Sequence, residues 1–244
     1  MKTEWIMGRQ SVQEALKAGR EMEKVLIAEG AGKGVQSLIH MAKERGIPVQ
    51  HAPRNRLDQL ADGGHHQGVL ALVSAYRYAS VDELFERAQS RNEPPFFVLL
   101  DGIEDPHNLG SILRTADAAG VHGVIIPKRR AVGLTRVVAK TSAGAIEYVP
   151  VARVTNLNRT VEELKEAGLW IVGADASAAH SFDEIDYTVP VALVIGNEGQ
   201  GISRLMKEKC DYLVQLPMAG RVASLNASVA AGLMMYEVFR TRRR

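Results

Sequence analysis

A single cysteine, Cys210, stands in the 244 residues, which excludes an internal disulfide framework and a cysteine-rich zinc site. Its neighbours Lys209 and Asp211 supply no base, so the thiol reads as a small buried hydrophobe and not as a nucleophile. Long apolar runs are also lacking: the longest, such as Phe96–Leu100 and Val191–Ile195, fall far short of the roughly 20 residues of a membrane span. No apolar stretch of about 7–15 residues follows the basic residue near Met1, so no secretory signal is read there and a cytoplasmic protein is expected. There is no excess of one charge, with 30 Lys and Arg against 28 Asp and Glu, so global charge names no polyanionic partner. Only 9 prolines occur, and no repeat or low-complexity tract, which excludes collagenous and wholly disordered chains.

What is present is an ordinary globular composition, 46% hydrophobic and 24% charged, in a chain long enough for two compact domains at about 150 residues each. Basic residues cluster locally. Lys128-Arg129-Arg130 follows an apolar run, Arg240 to Arg244 ends the chain, and residues 1–78 hold 11 Lys and Arg against 8 Asp and Glu. Each cluster is a candidate phosphate contact, or else a solvated loop or tail.

Residues 1–78 read as a small α/β domain. Ser11-Val12-Gln13-Glu14 has capping-box spacing, 24–28 and 47–51 read as strands, 35–45 and 54–60 as helices, and Asp62-Gly63-Gly64 leads through His65-His66-Gln67-Gly68 into the strand 69–73. Residues 79–95 resemble a linker: a charged helix at 81–89, then the breakers Arg91-Asn92-Glu93-Pro94-Pro95. In residues 96–244, the apolar runs 96–100, 124–126, 169–173, 191–195 and 212–216 alternate with helical segments. That pattern predicts a mainly parallel sheet with helices on both faces. Ligands bind such sheets beyond the carboxyl ends of the strands, which directs attention to the loops after each run.

Three of those loops are unusual. Asp101 to Ala116 contains the turn Asp105-Pro106, with Asn108 as a candidate helix cap and a core stripe of Leu109, Ile112, Leu113, Ala116 and Ala119. Arg114 falls on the opposite helical face, toward solvent paired with Asp117, toward substrate, or toward a partner chain. Gly196-Asn197-Glu198-Gly199-Gln200-Gly201 places three glycines after a buried strand, with Ser203 capping the next helix. Its order matches neither the dinucleotide fingerprint nor the P-loop. Finally, Leu216 to Ala230 crowds Ser224, Asn226 and Ser228 at the start of the last helix, where one cap suffices, so a ligand site is expected. No metal site is expected: four of the seven histidines, His40, His51, His65 and His66, lie in the first domain without ligand spacing.

Together, D-x-x-x-D-P-x-N-x-G-x-I-x-R-T-A, I-G-N-E-G-x-G-I-S and L-P-M-x-G-x-x-x-S-L-N-x-S-x-A resemble, in order, the three motifs of the SpoU (TrmH) family of RNA ribose 2'-O-methyltransferases. Residues 96–240 match the catalytic domain. Residues 8–74 resemble the family's N-terminal RNA-binding domain, similar to ribosomal protein L30e, and the whole is most similar to the 23S rRNA (guanosine-2'-O)-methyltransferase branch.

The resemblance implies a catalytic domain with a deep trefoil knot, S-adenosylmethionine as cofactor and a homodimer formed through the knot. It also implies 23S rRNA or an assembling large ribosomal subunit as partner, with no membrane. By the same resemblance, Asn108, Arg114, Glu198, Ser224 and Asn226 are catalytic-site positions. Gly196, Leu216 and Leu225 would line the cofactor with Glu198 and Asn226, and Arg9, Lys128, Arg129 and Arg130 would contact RNA. A guanidinium is a poor base, so Arg114 is expected to orient the hydroxyl and the target's phosphate, reaching toward the other protomer's cofactor. Other readings are the same chemistry on tRNA, a non-catalytic RNA-binding protein with a relic cofactor pocket, and a hydrolase using Ser224. The last lacks a G-x-S-x-G elbow.

Overall fold

The structure, a computed structural model, describes residues 4–17, 19–73, 76–222 and 224–243. The chain divides into two compact units, Met1–Arg77 with Gly133–Arg136, and Tyr78–Val132 with Val137–Arg244.

The first unit holds β1 (Glu4–Met7), α1 (Arg9–Lys17), β2 (Met22–Ala28), α2 (Gln36–Glu44), β3 (Val49–Ala52), α3 (Arg54–Ala61) and β4 (Val69–Val73). The sheet order is β1-β4-β2-β3, with only β2 and β3 parallel. Successive side chains of a strand face opposite ways, and the core divides accordingly. Val25, Ile27, Val69 and Ala71 pack with Val12, Leu16, Leu38 and Ala42 from α1 and α2. Leu26, Ala28 and Leu70 pack with Leu57 and Ala61 of α3 on the other face. The helix expected to open at Ser11 begins two residues earlier. Gly8, at φ +90°, turns the chain out of β1, and its carbonyl takes the first helical bond from Val12 N at 3.1 Å.

From Tyr78 follow α4 (Val81–Ser90), β5 (Phe96–Asp101), α5 (Pro106–Ala118), β6 (Gly123–Pro127), α6 (Arg136–Thr141), β7 (Val151–Val154) and α7 (Leu157–Glu166). Then come β8 (Trp170–Ala174), β9 (His180–Ser181), β10 (Val191–Gly196), α8 (Arg204–Lys209), β11 (Tyr212–Gln215) and α9 (Ala227–Arg242). The seven-stranded sheet is ordered β7-β6-β5-β10-β8-β11-β9, and every pairing is parallel. Strands β7 and β9, which sit at the edges, escaped the sequence reading: they are short and lack an apolar run.

The stretch read as a linker is ordered structure of this second unit. Ser80 and Glu83 close a capping box, and Leu84 of α4 is buried with Phe97, Leu99 and Ile125. Phe85 meets Phe97 edge-on at 5.0 Å. The breakers at 91–95 end that helix and lead directly into β5.

Candidate active site

In the sheet order, the chain runs from β5 outward through β6 to β7, and later returns to lay β10 against the other side of β5. The loops after β5 and β10 therefore leave in opposite directions and open a crevice at the carboxyl end, the general ligand position of such sheets. The first two motifs are those loops.

Beyond β5, Asp105 caps α5 by accepting from His107 N at 2.9 Å, and Pro106 occupies the first helical turn. Asn108 is therefore not the cap suggested by the sequence. It sits inside the first turn, buried, and its amide is free for other partners. Beyond β10, the backbone folds onto itself so tightly that a Cβ on Gly196 would lie 2.0 Å from the carbonyl carbon of Gly201. Only glycine fits there. Asn197 Oδ1 shapes this loop by accepting from Gly199 N at 3.0 Å and Gln200 N at 2.7 Å. Asp101 anchors its far end by accepting from Ser203 N at 2.8 Å. Ser203 holds the cap position of α8, but its side chain makes no cap hydrogen bond.

The third motif begins α9. Asn226 Oδ1 caps the helix, accepting from Ser228 N at 3.0 Å, Val229 N at 3.3 Å and Ser228 Oγ at 2.6 Å. Its amide nitrogen points the other way and donates to Asn108 Oδ1 at 2.9 Å and to Glu198 Oε1. Asn108 Nδ2 also donates to Glu198 Oε1, at 2.9 Å, and Ala227 N reaches the same oxygen at 3.2 Å. One residue from each motif thus closes a ring of hydrogen bonds that fixes the Glu198 carboxylate. Glu198 is itself exposed, so water competes for these bonds and each contributes on the order of 1 kcal/mol.

Two cavities flank this ring and share the wall Asn197–Gly201. The smaller, of about 350 Å³, is lined by Gly196, Leu216, Ser224, Leu225 and Ala227. The larger cleft, of about 740 Å³, carries Asn108 together with Glu104, Asp105, Arg129 and Arg130. Both contain Glu198. The structure therefore brings together Asn108, Glu198 and Asn226, with Gly196, Leu216, Ser224 and Leu225 around the small cavity and Arg129 and Arg130 in the cleft. Arg114 is exposed on α5 and lines neither cavity; among the described residues it forms no ion pair, with Asp117 or otherwise. Lys128 lines neither cavity, and its backbone N donates to Val154 O at 2.8 Å. In the first unit, Arg9 Nε donates to Gln67 O at 3.2 Å.

Sequence reasoning missed Asp175 and Lys207, which line the small cavity as an ion pair. Burial alone would raise the Asp175 carboxyl, but hydrogen bonds from Lys207 and from Ser177 outweigh it and hold the group at about 2. Its place directly after β8 was the available signal. Cys210, read as buried, is half-buried against the core of the second unit; burial, reinforced by the Asp211 carboxylate, pushes the thiol up to about 12. Among the described residues no cluster of His, Cys, Asp or Glu could hold a metal, and no helix is long and apolar enough to cross a membrane.

Comparison with known proteins matches this organisation. Residues 95–236 fit the model of the SpoU rRNA Methylase family, and residues 5–79 that of the RNA 2'-O ribose methyltransferase substrate binding domain. The chain is 59% identical over 240 residues to the TrmH family tRNA/rRNA methyltransferase YacO of Bacillus subtilis (strain 168), covering 98% of this chain and 96% of that protein. A relative in Staphylococcus haemolyticus is 53% identical, covering 97% and 95%. Among solved structures, the SpoU methyltransferase AviRb of Streptomyces viridochromogenes in complex with AdoMet superposes with a TM-score of 0.62. It is 29% identical, over 98% of this chain and 90% of that one. The A. aeolicus TrmH/SpoU tRNA modifying enzyme gives 0.57 at 32% identity, over 66% of this chain and 84% of that one. With three motifs meeting at one carboxylate and the family model covering most of the second unit, the chain belongs to the SpoU rRNA methylase family of RNA methyltransferases.

Proposed function

We propose that this RNA methyltransferase transfers the methyl group of S-adenosylmethionine to the ribose 2'-OH of a guanosine in 23S rRNA. The observation that carries the reading is the shared wall. A small cavity suited to a cofactor and a larger cleft suited to a nucleotide meet at the ring of Asn108, Glu198 and Asn226.

The small cavity fits S-adenosylmethionine. Ile195, Val214, Leu216 and Leu225 offer apolar surface for a purine, and the backbone from Gly196 to Gly201 approaches closely because glycine permits it. The Asp175 and Glu198 carboxylates outnumber the single Lys207 ammonium there, which suits a ligand bearing a sulfonium and an ammonium. When bound, the cofactor supplies an electrophilic methyl whose transfer to a hydroxyl oxygen breaks one sulfur–carbon bond and releases the hydroxyl proton.

The chain's part is positioning. The hydrogen-bonded ring holds Glu198 in one place between donor and acceptor sites, and Arg129 and Arg130 set positive charge along the cleft for the RNA backbone. Arg114 reaches neither cavity of its own chain, and α9 exposes Val229, Leu233 and Tyr236 at helical spacing. Both features support a homodimer, built through a knotted catalytic domain, in which Arg114 serves the partner's site. A monomer with full activity in sedimentation would exclude that arrangement.

The test is methyl transfer from labelled S-adenosylmethionine to unmodified 23S rRNA and, separately, to bulk tRNA, followed by nucleoside analysis. Label in 2'-O-methylguanosine from 23S rRNA alone is expected. Label in tRNA would keep the chemistry and replace the substrate. No label in rRNA, ribosomal particles or tRNA, with cofactor still bound, would leave a non-catalytic RNA-binding protein.

A further inference from the structure

The larger cleft carries charged groups that the fold does not use. Of its three acidic side chains at and just beyond the end of β5, Asp101 accepts from Ser203 N and Asp105 caps α5, so both serve the backbone. Glu104 does neither. It is exposed in the cleft wall, and among the described residues it has no hydrogen bond and no ion pair. Arg129 and Arg130 line the same cleft, also without an ion pair among the described residues, so neither guanidinium is held against the carboxylate.

The walls that present these groups are fixed. Val132 N donates to Ile103 O at 3.0 Å, tying the loop after β6 to the loop after β5 beside Glu104, and Ile103 is buried. Arg130 turns the chain in a left-handed conformation at φ +55°, uncommon for a residue with a side chain.

A carboxylate facing a polyanion is repelled by its phosphates, so its place in an RNA cleft calls for a compensating set of donors. An ionised carboxylate only accepts hydrogen bonds, through two oxygens side by side. The pairing edges of the four bases differ in what they offer it. Adenine and cytosine present one amino group beside a ring acceptor, and uracil one N–H between two carbonyls. Guanine alone presents two adjacent donors, N1–H and the N2 amino group. Two parallel bonds to a carboxylate match that edge and reject the others, because each wrong base sets an acceptor against an oxygen.

We propose that Glu104 reads the guanine of the target nucleotide through N1–H and N2–H, while Arg129 and Arg130 neutralise the adjoining phosphates. This rests on the proposed function, in which the cleft admits the target nucleotide. It adds a specificity-determining residue that acts on the base and not on the transferred methyl group.

The experiment uses the full chain with labelled S-adenosylmethionine. Wild type first methylates 23S rRNA, and the labelled nucleoside is identified. A short RNA spanning the mapped site is then made with guanosine or with inosine, which lacks the N2 amino group, and kcat/KM is measured for wild type, Glu104→Gln and Glu104→Ala. A good bidentate base contact corresponds to roughly 10- to 100-fold in discrimination. Wild type is expected to lose roughly that factor on inosine. Both variants should lose a similar factor on guanosine, and Glu104→Ala should no longer separate guanosine from inosine, a coupling that a merely structural role would not produce. Cofactor affinity by calorimetry should stay within about twofold.

Equal guanosine and inosine rates in wild type, or a Glu104→Ala protein that still separates them as wild type does, would overturn the proposal while leaving the methylation reading intact. Label in a nucleoside other than guanosine, or no label at all, would instead remove the reading on which it rests, and the proposal with it.

Discussion

The two units use polar side chains differently. In the first, the buried His66 closes a local loop: its Nδ1 accepts from Gly68 N at 3.1 Å and its Nε2 meets Asp58 at 2.7 Å, eight residues away in sequence. In the second, the ring around Glu198 joins segments 90 and 118 residues apart: Asn108 comes from the first turn of α5, Glu198 from the loop after β10, and Asn226 is the cap of α9. Under the proposed function, RNA contacts by the first unit's charged surface add up, so single changes there are expected to be tolerated. The second depends on one constellation that exists only when three distant loops arrive together.

Removing one polar member from each unit separates the two most strongly. Glu198→Ala deletes the acceptor of three donors, and turnover should fall about 100- to 1000-fold, as for other preorganised polar groups. Arg9→Ala in the first unit should weaken RNA binding severalfold and reduce its salt dependence, while turnover at saturating RNA is kept. Single-turnover rates over a range of RNA and salt concentrations separate the two, and a collapse of saturating turnover in Arg9→Ala would end the distinction. Arg114→Lys should resemble the site variant in turnover, losing about 100-fold because one ammonium does not replace a planar fork, with cofactor affinity kept. Near-normal turnover would remove Arg114 from the reaction.

Core truncation acts on each unit separately. Leu57→Ala and Leu84→Ala each empty a fully buried leucine site, one in each unit, at a cost of about 2–5 kcal/mol. In calorimetry, Leu57→Ala is expected to shift unfolding of the first unit and leave cofactor affinity unchanged. Leu84→Ala, packed on Phe97 and Leu99 of β5, should lower the stability of the unit that forms the small cavity. A loss of cofactor affinity in Leu57→Ala would show that the units are not energetically separate.

How much of this was legible in the sequence follows the same division between local and distant. Buried central strands such as 96–101 and 191–196 announce themselves as unbroken apolar runs, because both faces of a parallel sheet are covered. The edge strands β7 and β9 do not, and the linker reading of 79–95 failed because the charged face of α4 conceals how completely Leu84 and Ala88 are buried. The site residues were found through motif resemblance, and Ser224, Asn226 and Ser228 through an excess of capping groups. Spacing could not show that Asn108 is released from capping because Asp105 takes that task. Nor could it show that Asp175, on a loop outside the three motifs, faces the same cavity as Glu198.

The smallest effect expected is a pH slope in the second unit. His122 is fully buried; its Nδ1 accepts from Phe96 N at 3.0 Å, so its Nε2 carries the proton and donates to Glu93 at 2.8 Å. The ring repeats the geometry of His66, at the entry to the first strand of the large sheet. Burial pushes the His122 pKa below its ordinary 6.5, and the hydrogen bond and charge of Glu93 only partly oppose this. The unfolded chain therefore binds a proton at this site more readily than the folded one. Stability is complete above 6.5 and falls as the pH drops through 6.5 toward the lower folded value. His122→Gln keeps an acceptor for Phe96 N and a donor for Glu93 but does not titrate. Denaturation midpoints measured from about pH 7.5 to pH 5 should therefore lose part of their acid slope in this variant, whatever its stability at neutral pH. An unchanged slope would mean that protonation costs the folded state nothing, and that the strand entry does not depend on a neutral ring.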